Sequence, residues 1–562
     1  MKQLIIIIIL FCKLSHAQQD YNNSALVNQI NQETVSITPN SNFFLTGEYL
    51  FYSVFAKELN QKSSISQIAY VKLLDHMNEV VFSHKLKLTN ASVVSDYFIS
   101  TDLLTGNYKL IAYTNWSLNN SEKAVDIADI YIFNPYKSDF KKNKFLKDTT
   151  RLQKNTNSLN FIDSKNIKIS KTAYKTRDLV EFEISGYSNF SSDFIISIKK
   201  VEEFKLENKI NPSKISKNTS NILLPEMRGQ IISGTLTNLE DLSVHNKNIS
   251  LSIPDAQHYA FKIAHTNNKG EFNFILENNN QNSETIFQYL DENPTSYRIS
   301  IDNEPSLNYS KLNYNFLNID SKLNPVLKQI AVENQIENAY FEKKQDTTYV
   351  KNDNNIIYGK QGITYKLNDY TRFKSLKETF VEIIKTAAIR KIDNQLKLIV
   401  STEFTENSQV KLSNLEPLIL VDGLTITNHE DIINFNPKNI NSITTVSGKY
   451  LFGNKLFEGI IDFRTFDSNF AQNFRLGEHS TIVNIKTLRP EKTYYSPDYT
   501  NSSHKTIPDY RRQLLWKLAS KNETKKVHKI YTSDVKGLFE IKLIGFNKNG
   551  EVLNETSYFT VN

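Results

Sequence analysis

Short runs of β-branched and aromatic residues recur along the chain, each closed by Asn, Asp, Gly or Ser. No other feature constrains the fold as strongly. Examples are EYLFYSVFA (48–56), IAYVKLLD (68–75), NYKLIAYTNW (107–116) and IADIYIFNP (127–135). Their partial period-2 alternation is that of strands with one buried face. Many short strands between polar turns build sandwiches rather than bundles. At 562 residues the chain is long enough for several cores of about 100–200 residues each. Aromatic residues, 11% of the chain, supply bulk for those cores. The predicted class is mainly β: a multidomain string of β-sandwiches with a small α+β module. Asn and Lys are common, which fits codon bias in an AT-rich genome.

The opening MKQLIIIIILFCKLSHAQQ reads as a secretory signal, 1–17. Lys2 precedes an apolar stretch from Leu4 to Phe11, and Ser15-His16-Ala17 places small residues where cleavage needs them. Eight apolar residues are too few to span a bilayer. Cys12 raises the alternative of a lipoprotein signal, but Phe11 stands where a small residue is wanted. Cleavage after Ala17 removes the only cysteine, which excludes disulfides, thiolate metal sites and a cysteine nucleophile. No later run is long and apolar enough for a membrane helix. The formal charge of +7 becomes +5 once Lys2 and Lys13 are removed. Spread over so long a chain, with KKNK (141–144) and NETKKVHK (522–529) as solvated loops, it implies no nucleic-acid partner.

Several segments resemble known families. GEYLFYSVFAK (47–57), DLLTGNYKLIAYTNW (102–116) and IYIFNP (130–135) resemble the second macroglobulin domain (MG2) of bacterial α2-macroglobulin-like proteins, over 35–136. Independently of the resemblance, Gly106 permits a tight turn, and Tyr108, Leu110 and Ala112 alternate onto one face. A second macroglobulin-like sandwich is expected over 160–225, from NIKISKTAYKTRDLVEFEIS, a polar turn at Lys175–Asp178, and FIISIKKVEE (194–203). GQIISGTLTN (229–238), NKNISLSIPDA (246–256) and HTNNKGEFNFIL (265–276) resemble a carboxypeptidase-regulatory-like domain, 226–305, a family without peptidase activity of its own. Asn267–Gly270 is the expected hairpin turn there. Residues 306–365 read as an irregular linker, with a short helix in ENQIENAYFEKK (333–344).

SLKETFVEIIKTAAIRK (375–391) has the strongest helical pattern. Leu376, Phe380, Ile383, Ile384 and Ala387 fall on one face, and Ser375 with Glu378 forms a capping box. The next stretch, LEPLILVDGLTITN (415–428) and NFNPKNINSITTVSGKYLFGNKLFEGIIDFRTF (434–466), resembles the plug domain of TonB-dependent outer-membrane receptors. It carries the Asp422-Gly423 turn, the Pro437, Ile440, Ile443 spacing, a loop with Gly453, and Gly459-Ile460-Ile461. Phe457-Glu458 stand where that family has small residues. The plug-like α+β module is placed at 366–468. The remaining 469–562 reads as a closing β-sandwich of macroglobulin-containing bacteroidetes-type proteins, with Ser533, Asp534, Gly537 and Phe539 matching a turn of that family.

No catalytic constellation emerges. Asp422 follows an apolar strand, but it reads as turn chemistry, bonding the backbone two residues on. His429-Glu430-Asp431 reads as a surface loop, since adjacent side chains do not converge on one ion. Ser447-Gly448 and Ser233-Gly234 read as turn pairs, and no G-x-S-x-G, HExxH or phosphate loop occurs. The α2-macroglobulin thioester needs a cysteine, so covalent capture of proteases is excluded. No cofactor and no metal is expected. Tyr494, Tyr495, Tyr499, Tyr510 and Trp516 form an aromatic segment that reads first as packing an irregular stretch onto neighbouring domains, with a sugar platform or protein contact as the alternative.

Only about 95 residues follow Phe466, far short of a 22-stranded barrel at about ten residues per strand. The plug resemblance therefore implies a non-enzymatic accessory protein, exported to the periplasm and associated with the outer membrane. Its partner would be an outer-membrane β-barrel protein or channel, for secretion, assembly or transport. The candidate contact residues are Asp422, Gly423, Gly448, Phe452, Gly453, Phe457, Gly459 and Trp516. The alternative is a periplasmic or surface glycan- or substrate-binding adaptor acting through the aromatic segment. A hydrolase is the weakest reading.

Overall fold

The computed structural model describes residues 33–58, 64–120, 123–137, 148–155, 164–207, 212–219, 221–240, 242–254, 259–277, 284–291, 294–349, 357–359, 361–401, 415–452, 454–468, 470–473, 480–523, 527–547 and 549–562. The expected signal segment and Cys12 lie outside them. No helix among the described residues is long and apolar enough to cross a membrane. The chain forms two compact units. Unit 1 takes in Met1–Met227, Pro305–Tyr349 and Arg489–Asn562, and unit 2 takes in Arg228–Glu304 and Val350–Leu488. The architecture is mainly β, as the strand runs require.

In unit 1 the first sandwich packs a three-stranded sheet, Glu33–Pro39, Tyr49–Glu58 and Ser92–Phe98, on a five-stranded sheet. The second sheet runs Phe43–Leu45, Asp126–Phe133, Gly106–Tyr113, Ile68–Leu74, Val80–Lys87. Tyr108, Leu110 and Ala112 share its core with Leu50, Tyr52 and Val71. The Tyr108 hydroxyl ties back to Leu104 O at 2.7 Å, pinning the turn before its own strand.

The second sandwich of unit 1 is made from both ends of the chain. Ile167–Ile169 and Leu179–Ile184 pair with Val527–Tyr531 in one sheet. The other runs Ala173–Tyr174, Val552–Val561, Gly537–Phe546, Phe194–Lys200, Gln513–Ala519. The expected separate sandwiches at 160–225 and 469–562 are thus one body with one core, in which Phe182, Ile196 and Ile198 meet Phe539, Ile541 and Phe559. Two half-sheets each leave an apolar face open, and pairing them covers both. An ion pair closes the seam: Arg177 Nε and Nη2 reach Asp534 Oδ1 and Oδ2 at 2.6 and 2.7 Å.

The region expected as a linker, 306–365, is structured over much of its length. Phe316–Ile319 joins Thr149–Lys154 and Phe204–Glu207 in a sheet. A helix, Asn324–Ala339, follows, with Pro325 in its first turn and Leu327, Ile330 and Ala331 buried. It starts well before the predicted 333. Its apolar face is narrow and set among Asn, Gln and Glu, so the periodic signal is faint.

Unit 2 contains a sandwich with sheets Glu271–Leu276, Gln230–Asn238, Tyr297–Ile301 and Ala260–His265, Asn248–Ile253, Glu284–Tyr289, Ser480–Asn484. The last strand comes from beyond 469. The turn at Asn267–Gly270 forms, with Gly270 at φ 79° and its N–H on Asn267 O at 3.0 Å. Its flanking strands, however, enter different sheets, so it links the two layers instead of closing a hairpin. Ser233-Gly234 is not a turn either, because it lies inside Gln230–Asn238.

The rest of unit 2 is an α+β module. Its sheet runs Ile363–Lys366, Ile440–Phe452, Lys455–Thr465, Leu418–Val421, Leu424–Thr425. The predicted 375–391 helix is only Leu376–Glu382, capped by Ser375 Oγ, which accepts the Glu378 N–H at 3.2 Å. Ala387–Ile392 and Gln395–Val400 instead form a hairpin through Asp393 and Asn394, both with positive φ. That pair of left-handed residues suits a two-residue turn. Leu376, Phe380, Ile383, Ile384 and Ala387 all still enter one core. The apolar spacing marked what is buried, and the turn decided the shape.

Candidate functional site

The site suggested by sequence centres on the α+β sheet. All four side chains of Leu418–Val421 are buried. Asp422 and Gly423 follow at φ 52° and 87° and return the chain into Leu424–Thr425. The Asp422 carboxylate does not bond two residues on, as turn chemistry suggested. It accepts the Thr465 N–H at 2.8 Å and the Thr465 hydroxyl at 2.6 Å. Leu418–Val421 runs parallel to Lys455–Thr465, which carries the turn to the end of that strand. There the buried donors of Thr465 need an acceptor. A Cβ on Gly423 would come within 2.5 Å of Tyr259.

The long hairpin, Ile440–Phe452 with Lys455–Thr465, outruns its neighbours. Ile363–Lys366 flanks only residues 442–445, and Leu418–Val421 flanks only 460–463. Among the described residues, no strand borders the stretch from Val446 to Glu458. A bulge sits at the boundary: Val446 opposes Ile460 and Lys449 opposes Glu458, so Ser447-Gly448 face Gly459 alone. Gly448 and Gly459 have φ of 111° and 83°. A Cβ on Gly459 would meet Val446 O at 2.7 Å and Val400 at 2.8 Å. Such bulges bend a strand and increase its twist.

Beyond the bulge the two faces differ. Tyr450 stacks on Phe452 at 6.2 Å, and Phe452 lies 6.3 Å from Phe457 and 6.4 Å from Phe261. On the opposite face Leu451 and Leu456 are cross-strand partners, 67% and 40% exposed. Of the expected contact residues here, Gly448 is exposed and Phe452 half-buried, whereas Asp422, Gly423, Phe457 and Gly459 are buried. Those four pack the module and do not face outward. Gly453 lies outside the described residues.

Sequence reasoning missed the module's most polar buried centre. Asp462 is fully buried, and its Oδ2 accepts the hydroxyls of Tyr358 at 2.8 Å and Tyr259 at 3.1 Å. Arg464 adds an ion pair at 3.3 Å and lies 4.0 Å over the Tyr259 ring. Burial pushes the Asp462 carboxyl up from the usual carboxylate range and raises both phenols, which therefore stay protonated as donors. The available signal was an acid inside an apolar strand, IIDF (460–463).

His429 is not on a surface loop. It opens the short helix His429–Ile433, is buried, and accepts the Leu398 N–H at Nδ1, 2.9 Å away. Burial lowers its pKa, so the ring is neutral and suited to accepting. Among the described residues no group of three or more His, Cys, Asp or Glu is placed to hold a metal.

The aromatic segment belongs to unit 1. Trp516 is 3% exposed and packs with Phe55, Ile195, Ile544 and Phe546. Tyr499 is also buried, its hydroxyl donating to Asp509 at 2.5 Å. Tyr494, Tyr495 and Tyr510 are half-buried. The rings pack within unit 1, as the packing reading of the segment has it, and Trp516 and Tyr499 present no open platform.

No protein-family model matches the chain, and no curated protein does. Among solved structures it is similar to Salmonella α2-macroglobulin reacted with methylamine, at 8% identity and TM-score 0.23, over 94% of this chain and 39% of that one. Trypsin-activated α2-macroglobulin from Escherichia coli aligns at 9% identity and TM-score 0.16, over 95% of this chain and 24% of that one. The CARDB domain of the Pyrococcus furiosus PF1109 protein aligns at 14% identity and TM-score 0.14, over 18% of this chain and 87% of that one. The chain thus spans about two fifths of the Salmonella protein's length. TM-scores this low carry no argument about family or function.

Proposed function

We propose that the chain is a non-enzymatic accessory protein of the bacterial envelope. It contacts an outer-membrane β-barrel protein or channel from the periplasmic side, through the exposed Leu451–Leu456 face at the end of the long hairpin, whose other face packs on the sandwich of the same unit. The carrying observation is that this hairpin outruns both flanking strands and presents the Leu451–Leu456 pair to solvent. Adjacent exposed aliphatic side chains on a hairpin stretch that no strand borders offer a contact surface. The plug-like spacing of Pro437, Ile440, Ile443 and Gly459 supports the choice of a barrel as that cover. The Gly47-Glu48 strand opening and the Leu103–Tyr108 turn support macroglobulin-type sandwiches as the scaffold.

A binding role rather than a catalytic one is supported by what the acidic and imidazole candidates do. Asp422 is engaged by Thr465, and His429 by Leu398. Both side chains are spent on holding the fold.

The test is photo-crosslinking in intact cells from Leu451 and, separately, Leu456, with the trapped partner identified by mass spectrometry. A β-barrel adduct from both positions is expected. Recovery of the protein alone, with no barrel adduct from either position, sinks the reading.

A further inference from the structure

The chain returns to unit 1 at Arg489, and there its guanidinium meets a histidine. Arg489 Nη1 lies 2.6 Å from His84 Nε2, and the Tyr52 hydroxyl lies 2.7 Å from His84 Nδ1. A guanidinium only donates, and it stays charged throughout the accessible pH range. Nε2 must therefore accept, and the neutral ring must carry its proton on Nδ1, facing the Tyr52 oxygen. The Nε2–H tautomer would set two donors against each other, and so would the imidazolium. Burial pushes the Tyr52 phenol up, so it stays protonated, and its own hydrogen is left for the Ser95 hydroxyl. One protonation state and one tautomer of this ring satisfy both neighbours.

The returning segment is fastened to the first sandwich around the same ring. The Arg489 N–H donates to Lys85 O at 2.9 Å, and Arg489 Nη2 lies 3.6 Å from Asp96 Oδ1. Lys492 Nζ reaches Asp96 at 3.0 Å and Asp346 at 3.5 Å. The Tyr494 ring meets Phe51 edge-on at 4.8 Å. On the histidine's own strand, Phe82 lies 4.3 Å from the ring, and Lys85 points to the opposite face, over Tyr70. The neighbouring strand Ile68–Leu74 places Val71 opposite His84. Ser92–Phe98 contributes Ser95, Asp96 and Tyr97, whose ring is 6.3 Å away. Asp96 and Asp346 are matched by Arg489 and Lys492, and the charged group in direct contact with the ring is the guanidinium. His84 is half-buried, so solvent can deliver a proton to it.

We propose that His84 and Arg489 form an acid-released latch that holds Arg489–Tyr494 on the first sandwich. The neutral ring accepts from Arg489. A proton added to Nε2 from solvent removes the acceptor, sets an imidazolium against the guanidinium and releases the segment. The unfolded chain takes up that proton near the ordinary histidine value of about 6.5, whereas the latched ring resists it. The contribution of the latch is complete above about 6.5 and is lost as the pH falls below it.

The test is hydrogen exchange of the full chain at about pH 8 and about pH 5.5, read by mass spectrometry on peptides covering Arg489–Tyr494. After division by the intrinsic exchange rate, protection there is expected to fall about tenfold at the acid pH. Peptides from Phe194–Lys200 should keep their protection, and a parallel loss there would mean global unfolding and overturn the latch. His84→Gln supplies a carboxamide that accepts from Arg489 and takes no proton, so the acid step should vanish. Arg489→Met removes the guanidinium and should abolish the step as well. Proton–nitrogen correlation NMR of the histidine-labelled wild-type chain at about pH 8 should show the His84 ring as the Nδ1–H tautomer. An Nε2–H tautomer overturns the proposal. Protection that is flat with pH in the wild type does so too, as does an acid step that survives in either variant.

Discussion

The hairpin end in unit 2 and the aromatic segment in unit 1 use aromatic side chains in opposite ways. In the hairpin, Tyr450, Phe452 and Phe457 pack against one another and leave an aliphatic pair outside. In unit 1, Tyr494 and Trp516 turn inward onto Phe51, Phe55 and Phe546, and their buried polar atoms find no partner within the chain. Aromatic content alone therefore does not distinguish a binding surface from packing. What separates them is which atoms remain without a partner: exposed methyl groups in one case, buried donors in the other.

That contrast can be broken at four points. The largest effect is expected at Asp422, which serves packing rather than contact. Asp422→Ala strips two acceptors from Thr465 in a buried setting and should destabilise unit 2 by about 3 kcal/mol, read from its denaturant midpoint. A change below about 0.5 kcal/mol would place Asp422 outside the packing role argued above.

Next is the pH response of unit 1. Glu48 accepts the Leu45 N–H at 2.6 Å, and burial raises its carboxyl from 4.5 to about 7. The folded chain then holds this proton more tightly than the unfolded chain. The contribution is present below about 4.5 and is lost as pH rises through about 7. Full sequestration would make the loss about 3 kcal/mol, and the partial exposure of Glu48 reduces it to about 2 kcal/mol. Glu48→Gln should flatten that slope in melts followed from acid to neutral pH, and an unchanged slope assigns it to other groups.

Trp516→Phe should cost about 1.5 kcal/mol, because a smaller ring replaces a buried indole and leaves a void, while the lost N–H makes no bond within the chain. No loss at all would place Trp516 outside the core it shares with Phe55 and Phe546. The smallest stability effect is expected for Leu451→Ser with Leu456→Ser, within about 0.5 kcal/mol because both side chains are exposed. The same double variant should abolish co-purification of the barrel partner, and retained co-purification moves the contact elsewhere.

Individual strands were readable because period-2 alternation is local. Gly106–Tyr113 and Phe194–Lys200 stand where the runs place them. The helix at 375–391 was half readable. Its five apolar residues are buried together, but Asp393-Asn394 turns the second half into a hairpin. Which strands share a sheet was not readable where partners lie far apart. Glu181 pairs with Lys529, and Thr285 with Val483, across separations that no window of sequence spans. The site was readable as a motif and misread as a surface. Phe457 and Gly459 are conspicuous in sequence because packing needs them, and burial removes them from any partner's reach.

The sequence by itself determined a chain of many short strands, the positions of its tight turns and the residues that must leave water. Those properties depend on neighbours a few positions away. Only the tertiary structure decided that the two ends of unit 1 close one sandwich and that Asp462 sits between two phenols. It also decided that Trp516 packs with Phe55, Ile195, Ile544 and Phe546, residues far from it in the chain. Each depends on which apolar face covers which and on where a buried donor finds its acceptor, and these relations exist only once the distant strands have met.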